Sequence, residues 1–373
     1  MKNKIKVLFV VPYPLNTAPC QRFRFEQYFD LLKCKGITYA VDPFVSPGLH
    51  RIIYKKGKYI AKFLYTFCCF LRRFYTVIRA FRYDIVFIHR ETSPFGFIFF
   101  ELFLKHAGKK IIFDFDDAVY LPNFSGANNI ARLFKNYNKI KKIISISDVV
   151  IAGNSHLERY AVNFNKNVIV IPTTIDTDKY PLIEKERRKN APVCIGWSGS
   201  YTTIQHFILL ENVFKRLRDK FNVTIKTIGA PSDFSMKYIP IVAKIWCLEN
   251  EIEELSGFDI GVMPLPDDEW GRGKCGLKAL QYMALGIPAV CSPVGVNREI
   301  IQDGVNGFLA NSEEEWIEKL SKLIKDHSLR KEIGIAGRKT VEERYSLARN
   351  GPVFLDILNN IYQRSSGCKY VKK

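Results

Sequence analysis

Short apolar runs alternate along the chain with segments whose apolar residues recur at helical spacing. Such runs are typical of strands that are buried on both faces of a parallel sheet, and the segments between them are typical of helices that cover the sheet. The alternation predicts an α/β fold with two consecutive Rossmann-like, doubly wound domains. The predicted strands are KVLFVV, DIVFIH, KIIFDF, DVVIAG and VIVIP in the first half and VCIGWS, VTIKTIG, FDIGVMPL and PAVCS in the second.

A charged stretch without apolar periodicity separates the two halves. The segment EKERRKN, residues 184–190, predicts a linker between a domain at 1–183 and a second domain at 191–345. The tail at 346–373 contains one more amphipathic pattern, and we expect this helix to pack back on the first domain. With 373 residues, the chain is long enough for two such domains.

The formal net charge of the chain is +19, and most of it falls in the first half. Residues 1–183 contain 28 Lys and Arg against 13 Asp and Glu, which gives +15, whereas residues 184–373 contain 28 against 24, which gives +4. We therefore expect the first domain to face an anionic surface or ligand.

One segment of the first half carries much of this charge. Residues 51–82 contain nine basic residues and no acidic residue, interleaved with aromatic and aliphatic side chains. The pattern suits a helix that lies in the interface of an anionic membrane, although a sheet-covering helix with a solvated basic face is the alternative. A nucleic-acid surface is disfavoured because no nucleic-acid motif accompanies the segment. The headgroup contacts would come from four arginines, Arg72, Arg73, Arg79 and Arg82.

Cysteine spacing and the N-terminal run indicate the compartment. The nine cysteines lack paired C-x-x-C spacing, which predicts neither a zinc site nor a disulfide framework and favours a reducing environment. The N-terminal run VLFVV is short, is followed by Pro12 and Pro14, and predicts a buried strand rather than a signal peptide. No window reaches the roughly 18 uncharged apolar residues of a transmembrane helix. We expect a cytoplasmic protein, peripheral on the inner face of the cytoplasmic membrane.

Two glycine-containing loops precede predicted helices in the second half. The stretch GRGKCGLKALQYMALGIP, residues 271–288, brings Lys274 and Lys278 to a helix start, where cations are unfavourable unless an anion lies opposite. The other loop, CIGWSGSYTT, places Gly199 and Ser200 after a strand. Amides in such loops bind phosphate oxygens, and both loops would follow neighbouring strands. Together they predict a phosphate site; solvated lysines and plain packing glycines are the alternative.

The run MPLPDDEWGRGKCGLKALQYMALGIPAVCSPVGVNREIIQDGVNGFLA resembles the donor-site region of retaining GT-B glycosyltransferases of family 4, and is most similar to a bacterial subgroup that makes surface polysaccharides. The resemblance extends to LFVVPYPLNTAPCQRFRFEQY, DFDDAVY, NSHLERYA and VIVIPTTID, so it covers nearly the whole chain. It implies that a nucleotide-sugar binds the second domain and the acceptor binds the first. It also implies transfer with retention of anomeric configuration, without a metal or other cofactor.

The resemblance assigns donor-binding roles in the second domain. Where the family has two glutamates, this chain has Gln281, which would hold the ribose, and Gly273, which offers no side chain. The family's Arg and Lys for the diphosphate are also replaced, so Lys274 and Lys278 would supply the missing positive charge. Trp270 would stack on the donor or cover the loop. The candidate donor and phosphate-binding residues are Gly199, Ser200, Lys274, Gly276, Leu277, Lys278, Gln281 and Glu299.

Three carboxylates in the first domain are the catalytic candidates. The stretch IIFDFDDAVYLP places Asp114, Asp116 and Asp117 at a strand end, and related enzymes often have a histidine where Asp116 falls. These groups would orient sugar hydroxyls, support positive charge at the anomeric carbon or accept the acceptor's proton. A turn with an Asp helix cap is one alternative, and a D-x-D metal site is a weaker one.

Other residues of the first domain are weaker candidates for binding the acceptor. The loop after the first strand contains Gln21, Arg22 and Arg24, which would meet a phosphate of the acceptor or simply face water. His89 is the last residue of the strand DIVFIH and Arg90 follows it, at a strand end where active-site residues collect. A histidine whose hydrogen bonds are satisfied within the core is equally consistent.

These observations predict a retaining, metal-independent glycosyltransferase of the hexosyltransferase type. It would move a sugar from a nucleotide-diphosphate sugar to a lipid-linked or growing glycan in bacterial cell-surface polysaccharide synthesis. The alternative is a noncatalytic GT-B-like binding or scaffold protein at the membrane surface, which the replaced Glu and Arg/Lys pairs favour. A dinucleotide oxidoreductase is disfavoured because no G-x-G-x-x-G follows the first strand.

Overall fold

The computed structural model describes residues 4–53, 55, 57–121, 138–184, 191–200, 202–237 and 239–365. The chain divides into two compact units. The first consists of Met1–Pro172 with Asn350–Lys373, and the second of Thr173–Arg349. Of the linker predicted at 184–190, residues 185–190 lie outside the described residues.

The first unit is built on a parallel sheet of six strands. Its strands are β1 (Lys6–Val11), β2 (Thr38–Pro43), β3 (Ile85–His89), β4 (Lys110–Phe115), β5 (Val149–Ala152) and β6 (Val168–Val170). Their order is β2-β1-β3-β4-β5-β6, and every pairing is parallel. The order reverses between β1 and β3, and ligands of open α/β sheets bind at such a switch point, beyond the carboxyl ends of the strands.

Helices cover this sheet because both of its faces are apolar. The helices of the first unit are α1 (Pro19–Arg22), α2 (Phe29–Cys34), α3 (Pro47–Ile53), α4 (Tyr59–Arg79), α5 (Phe99–His106), α6 (Asn138–Ile146) and α7 (Ser155–Ala161). Short 3₁₀ turns occur at Glu26–Tyr28 and Ala80–Arg82.

The second unit repeats the doubly wound plan. Its strands are β7 (Val193–Ser198), β8 (Val223–Ile228), β9 (Ile241–Lys244), β10 (Ile260–Met263), β11 (Ala289–Cys291) and β12 (Phe308–Leu309). They lie in the order β12-β11-β10-β7-β8-β9, again all parallel. The switch point therefore falls between β7 and β10.

The helices of the second unit lie between these strands and after β12. They are α8 (Ile204–Ile208), α9 (Glu211–Arg218), α10 (Glu251–Ser256), α11 (Glu269–Arg272), α12 (Leu277–Ala284), α13 (Asn297–Ile300), α14 (Glu313–Lys325) and α15 (His327–Thr340), followed by a π turn at Val341–Tyr345. The last helix, α16 (Leu347–Ser365), runs on into the first unit.

All nine predicted strands are present, and the predicted α/β class with two doubly wound sheets is confirmed. The sequence reasoning missed three further strands, each at or next to a sheet edge. β2 is only partly buried and ends in Asp42 and Pro43, and β9 is half exposed. β12 has only two residues. Weak burial leaves such strands without the long apolar run that signals an interior strand.

Residues before the predicted linker belong to the second unit. The Ile175 amide donates to the Tyr345 carbonyl at 2.8 Å, and the Leu347 amide donates back to Ile175 at 2.9 Å. Leu182 packs against Gly286. At the other end of the chain, the ring of Phe354 in α16 stacks on Tyr28 of the first unit, with ring centroids 4.7 Å apart.

Helix α4 contains three of the four arginines predicted to contact lipid, and one of those predictions is wrong. Arg73 is only 2% exposed, and its guanidinium lies 3.1 Å from the Asp42 carboxylate on β2. Burial lowers the pKa of Arg73 to about 10, and Asp42 opposes that shift. Arg79 also pairs with Asp42, at 3.3 Å. The acidic partner that segment 51–82 lacks is therefore supplied by a strand that the sequence reasoning missed.

The remaining two predicted arginines differ in their surroundings. Arg72 is exposed, but its guanidinium donates to the carbonyls of Pro43 and Phe44. Arg82 is exposed at the end of the helical segment. Within the described residues, no helix is both long enough and apolar enough to cross a membrane.

We expect Asp42→Asn to lower the free energy of unfolding by about 3 kcal/mol, because it leaves the buried Arg73 cation without its counter-charge. Urea denaturation at pH 7 measures this. The matched control is Asp30→Asn, since Asp30 pairs with Lys33 at 3.1 Å on the surface, where both side chains are exposed. That variant should stay within about 0.5 kcal/mol of wild type. Equal losses in the two variants would contradict the assignment.

Candidate functional site

Two glycines shape the loop after β7, at the switch point of the second sheet. The Gly199 amide donates to the Ile228 carbonyl at 2.9 Å. Gly229 has φ +87°, and a Cβ there would lie 1.9 Å from the Gly199 carbonyl oxygen. A Cβ on Gly199 would lie 2.2 Å from the ring of Trp197. Only glycine at both positions lets the two loops pass this closely.

Ser200 lies exposed at the tip of this loop. Its hydroxyl is 2.9 Å from the Thr202 hydroxyl, and its amide donates to the Thr203 hydroxyl at 3.1 Å. These hydroxyls therefore form a cluster directly before helix α8.

The two candidate lysines flank the start of α12, Lys274 in the loop before it and Lys278 in its first turn. Lys274 lies over the ring of Trp270, with its Nζ 4.9 Å from the ring centroid, and Lys278 lies over Trp197 at 5.4 Å. Both lysines are half-buried. Ammonium groups held above indole faces are attracted to the ring and lose part of their hydration. The alternative of two freely solvated lysines does not fit this geometry.

His206 in α8 completes this cluster and was not among the predicted site residues. Burial lowers the pKa of His206, and the charges of Lys278 and Lys274 lower it further, while Asp268 opposes them. The imidazole therefore lies within the field of both lysines. Its place in the loop-helix segment after β7 was visible in the sequence, but its closeness to lysines seventy residues away was not.

Helix α12 begins at this cluster. Its N-cap is Gly276, with φ +70° and no side-chain capping bond, and Leu277 is its first residue. A Cβ on Gly276 would lie 2.3 Å from the Cδ1 of Ile300. The first turn contains no acidic side chain. The positive end of the helix dipole thus lies beside Lys274 in the preceding loop and Lys278 in the first turn, which suits an anion.

Gln281 lies one turn further along α12 and is buried. Its amide nitrogen donates to the Tyr180 hydroxyl at 3.0 Å, which in turn donates to the Glu251 carboxylate at 2.8 Å. The indole of Trp246 donates to the same carboxylate at 2.8 Å. Sequence reasoning missed Tyr180 and Glu251, because they reach Gln281 from distant parts of the chain. The ribose-binding role of Gln281 stays a prediction.

Glu299 is exposed on α13, where its carbonyl accepts a hydrogen bond from Arg344 at 3.2 Å. Its charge acts on the buried Tyr345. The contacts described for Glu299 are thus to the C-terminal part of the second unit, and its predicted donor contact stays a prediction.

In the first unit, a buried network occupies the carboxyl ends of β1, β3 and β4. Arg24 forms an ion pair with Asp114 and donates to the carbonyl of Ile171. Asp114 also lies 2.7 Å from Nδ1 of His89. Burial raises the pKa of Asp114, but Arg24 and His89 outweigh it, so the pKa is lowered and the carboxylate is ionised. The ionised carboxylate accepts only, so Nδ1 carries the proton.

This network changes the roles predicted for three residues. Arg24 is buried rather than free to meet an acceptor phosphate, and Asp114 is neutralised by it. The Nε2 atom of His89 is buried, has no hydrogen-bond partner among the described residues, and lies 3.9 Å from Asp116. His89 is thus aimed at Asp116, the first residue after β4, rather than satisfied within the core.

Asp116 and Arg90 form the second half of this arrangement. The Arg90 guanidinium approaches Asp116 at 2.7 Å and 2.8 Å, and approaches Asp117 at 3.6 Å. Burial raises the pKa of Asp116, but Arg90 first and His89 second lower it to about 2. Arg90 has φ +60°, a left-handed conformation that non-glycine residues adopt at a cost of about 1–3 kcal/mol, usually at functional sites. The geometry therefore singles out Asp116 and Arg90.

The loop after β1 is held by Gln21. This side chain is buried, accepts from the Tyr13 amide at 2.8 Å, and donates to the Tyr13 carbonyl and to Glu26, each at 3.0 Å. Arg22 lies over the ring of Phe23, 5.0 Å from its centroid. Gln21 thus shapes the loop, and neither contact tests its predicted role or that of Arg22 toward the acceptor.

Asp117 turns back on the chain, since its carboxylate accepts from the following Ala118 amide at 3.3 Å.

Among the residues that the structure describes, no group of three or more His, Cys, Asp or Glu side chains is placed to hold a metal ion. Asp114 and Asp116 bind arginines instead of converging on one point.

Comparison with known proteins finds a family match within the second unit. Residues 192–326 match the family described as Glycosyl transferases group 1. Trehalose synthase from Pyrococcus horikoshii is 31% identical over 86 residues, which are 23% of this chain and 21% of that protein. The chain thus aligns with about a fifth of the length of this curated relative.

Solved structures resemble the whole chain. Sucrose-phosphate synthase from Thermosynechococcus elongatus has a TM-score of 0.70 at 12% identity, with 97% of this chain and 100% of that chain covered. HepE from Anabaena, solved in complex with UDP-glucose, has a TM-score of 0.63 at 14% identity, covering 95% and 100%. At these identities the likeness shows the fold alone, which is that of GT-B glycosyltransferases. Residues 192–326 therefore form a glycosyl transferases group 1 domain, carried by a chain of the GT-B fold.

Proposed function

We propose that this protein is a retaining glycosyltransferase that uses a nucleotide-diphosphate sugar. The observation that carries the proposal is the cluster of Lys274 and Lys278 above Trp270 and Trp197, at the switch point of the group 1 domain. HepE, which shares the fold, was solved with UDP-glucose, and this supports a donor of the same class.

The cluster suits a leaving diphosphate. Two partly desolvated ammonium groups, together with the uncapped start of α12, place positive charge where a diphosphate would depart. Such positive charge lowers the barrier to sugar transfer if it stabilises the negative charge that develops in the transition state more strongly than it stabilises the ground state. Gln281 would hold the ribose. No metal is needed in this scheme, because the lysines neutralise the phosphates.

The first unit would act on the sugar and the acceptor. A pKa of about 2 keeps Asp116 ionised at neutral pH and makes it a weak proton acceptor. Of the three roles expected for these carboxylates, support of positive charge at the anomeric carbon fits this ionisation best. Arg90 and His89 would position Asp116 for that role.

The acceptor that we propose is a lipid-linked or growing glycan in bacterial cell-surface polysaccharide synthesis. The excess of +15 in residues 1–183 supports an anionic acceptor or surface for the first unit. We place the reaction on the inner face of the cytoplasmic membrane, with segment 51–82 at the lipid surface.

We expect the double variant Lys274→Ala/Lys278→Ala to bind the donor at least about 100-fold more weakly, because two charge-assisted contacts to phosphate are lost. Thermal-shift titrations with UDP-glucose, GDP-mannose and ADP-glucose first identify the donor that stabilises the wild type. The same titration is then made with the double variant. The matched control is Lys322→Ala, an exposed lysine paired with Glu318, which should bind as wild type does.

Unchanged binding by the double variant, with the protein folded, would contradict the phosphate site. If no nucleotide sugar or nucleotide diphosphate stabilises the wild type, the noncatalytic alternative gains support.

Donor binding should strengthen as the pH falls from about 7.5 to 5.5. Burial and the two lysines lower the pKa of free His206, so the free imidazole takes up a proton less readily than an ordinary histidine. A bound diphosphate adds negative charge beside it and raises its pKa, so binding takes up a proton. The affinity should then rise by up to about tenfold per pH unit. His206→Asn should flatten this dependence, and calorimetry in buffers of different ionisation enthalpy counts the protons. An equal slope in the variant would assign the proton elsewhere.

We expect Asp116→Asn to lower turnover by about 100-fold or more, because the variant lacks the charge that supports the developing cation. Donor affinity should stay unchanged, since the phosphate cluster lies in the other unit. Release of the nucleotide diphosphate from the donor measures turnover. Asp148→Asn is the control, because Asp148 is also paired with lysines but lies at the opposite, amino-terminal end of the sheet. A similar loss in both variants would indicate a structural role.

A further inference from the structure

Helix α4 turns an apolar face outward. Within this helix, all of which the structure describes, the buried residues are Cys69, Arg73, Thr76 and Val77, so the side turned to the protein mixes polar and apolar groups. Of the exposed side chains from Tyr59 to Arg79, only Arg72 is charged, and its guanidinium is directed back to backbone carbonyls. A helix that covers a sheet in water instead exposes a polar and charged outer face.

The exposed residues form one stripe rather than scattered positions. Ile60, Phe63, Phe67, Phe74 and Ile78 recur at spacings of three, four and seven, which places them on one face of the helix. Ile60 is 78% exposed, Phe63 69% and Ile78 65%. Single exposed apolar side chains are ordinary, but a contiguous stripe marks an interaction site.

Helix α5, beside it, also turns apolar side chains outward. Its Glu101 is fully buried beside Phe100 and Leu104, accepts from the Thr92 hydroxyl at 2.8 Å and pairs with Lys139 at 3.4 Å. Its Phe99 and Phe103 are exposed, as is Phe97 just before the helix. The rings of Phe74 and Phe99 lie 5.8 Å apart, so the two apolar faces join. We call this continuous surface the α4–α5 face.

Cations flank the face. Arg51 and Lys58 are exposed before α4, and Arg82 is exposed after it. Lys109 lies 5.4 Å above the ring of Phe81, which is itself exposed. An apolar surface with basic residues at its margins is the arrangement of helices that lie in the interface of an anionic bilayer.

The charge favours a lipid partner over a second copy of this chain. Segment 51–82 has nine basic residues and no acidic residue, so two copies meeting at this face would bring like charges together. Anionic headgroups instead complement those charges, while the acyl chains receive the aromatic and aliphatic side chains.

We propose that the α4–α5 face inserts into the acyl region of an anionic membrane. The inference rests on the membrane location proposed above, and it specifies the surface that makes the contact, namely the outward apolar faces of α4 and α5. Arg73 holds α4 on β2 through Asp42 and is too deeply buried to reach lipid, and Arg79, 31% exposed, pairs with the same carboxylate. Attachment should therefore persist at a salt concentration that screens surface charge.

The first test is sedimentation with vesicles of phosphatidylglycerol and phosphatidylcholine in 0.1 M and 0.5 M NaCl. We expect wild type to remain bound at 0.5 M, and Ile60→Ser/Phe63→Ser/Phe67→Ser to bind at least about tenfold more weakly, since three inserted side chains are lost. The control is Leu209→Ser/Ile245→Ser/Ile335→Ser, three exposed apolar residues of the second unit, which should bind as wild type does. Release of wild type at 0.5 M, or equal binding by the two triple variants, would overturn insertion.

The second test reports depth. The four tryptophans of the chain, Trp197, Trp246, Trp270 and Trp316, all lie in the second unit, so Phe63→Trp adds a single reporter to the first. Lipids brominated on their acyl chains should quench the added emission and leave wild-type emission unchanged. No quenching of bound Phe63→Trp would overturn insertion, and a concentration-dependent dimer that does not bind vesicles would assign the face to a second copy.

Donor binding separates this inference from the proposed function. The Ile60→Ser/Phe63→Ser/Phe67→Ser variant should keep the nucleotide-sugar affinity of wild type while losing vesicles. If wild type binds vesicles but no nucleotide sugar, the donor assignment is wrong while the insertion of the α4–α5 face is still supported. If it binds the donor but no vesicles, the inference fails alone.

Discussion

Both units depend on a parallel sheet that is covered on its two faces. In such a sheet the strand interiors contain few polar side chains, and β1 from Val7 to Val11 is fully apolar. Charged and polar groups are then displaced to the strand ends, and the topology decides which ends meet. In the first unit the reversal between β1 and β3 gathers Arg24, His89 and Asp114. In the second, the reversal between β7 and β10 gathers the glycine loops and the two lysines.

The strands could be predicted from the sequence where their side chains are fully buried, and they were missed where the side chains are only partly buried. The nine predicted runs stood out because a short, uninterrupted apolar run is typical of a strand buried on both faces. β2 did not, since it carries Asp42 and is only partly buried. That omission had a further effect, because Asp42 is the partner that turns Arg73 inward. A sequence shows that segment 51–82 lacks acids, but it does not show an acid that folding brings from another strand.

The candidate site was predictable to a similar degree. The glycine spacing and the cations at a helix start, where positive charge is unfavourable, indicated Lys274 and Lys278. Both signals lie within one short stretch of the sequence. His206, Tyr180 and Glu251 escaped because their importance comes from contacts across long sequence separations. The roles within the Asp114–Asp117 group also required geometry: only the ion pairs reveal that Asp114 pairs with Arg24 while Asp116 pairs with Arg90 and faces His89.

Gly229 has a consequence for how mutational data on this protein should be interpreted. It carries no chemical group and belongs to a neighbouring strand's loop, yet any side chain there would collide with the backbone oxygen of Gly199 at 1.9 Å. Backbone atoms cannot move aside as a flexible side chain would, and φ +87° adds strain for every L-residue. In a survey of all single substitutions scored by activity, position 229 should therefore be as intolerant as a catalytic residue. Intolerance at such a position marks the shape of a loop rather than contact with a ligand.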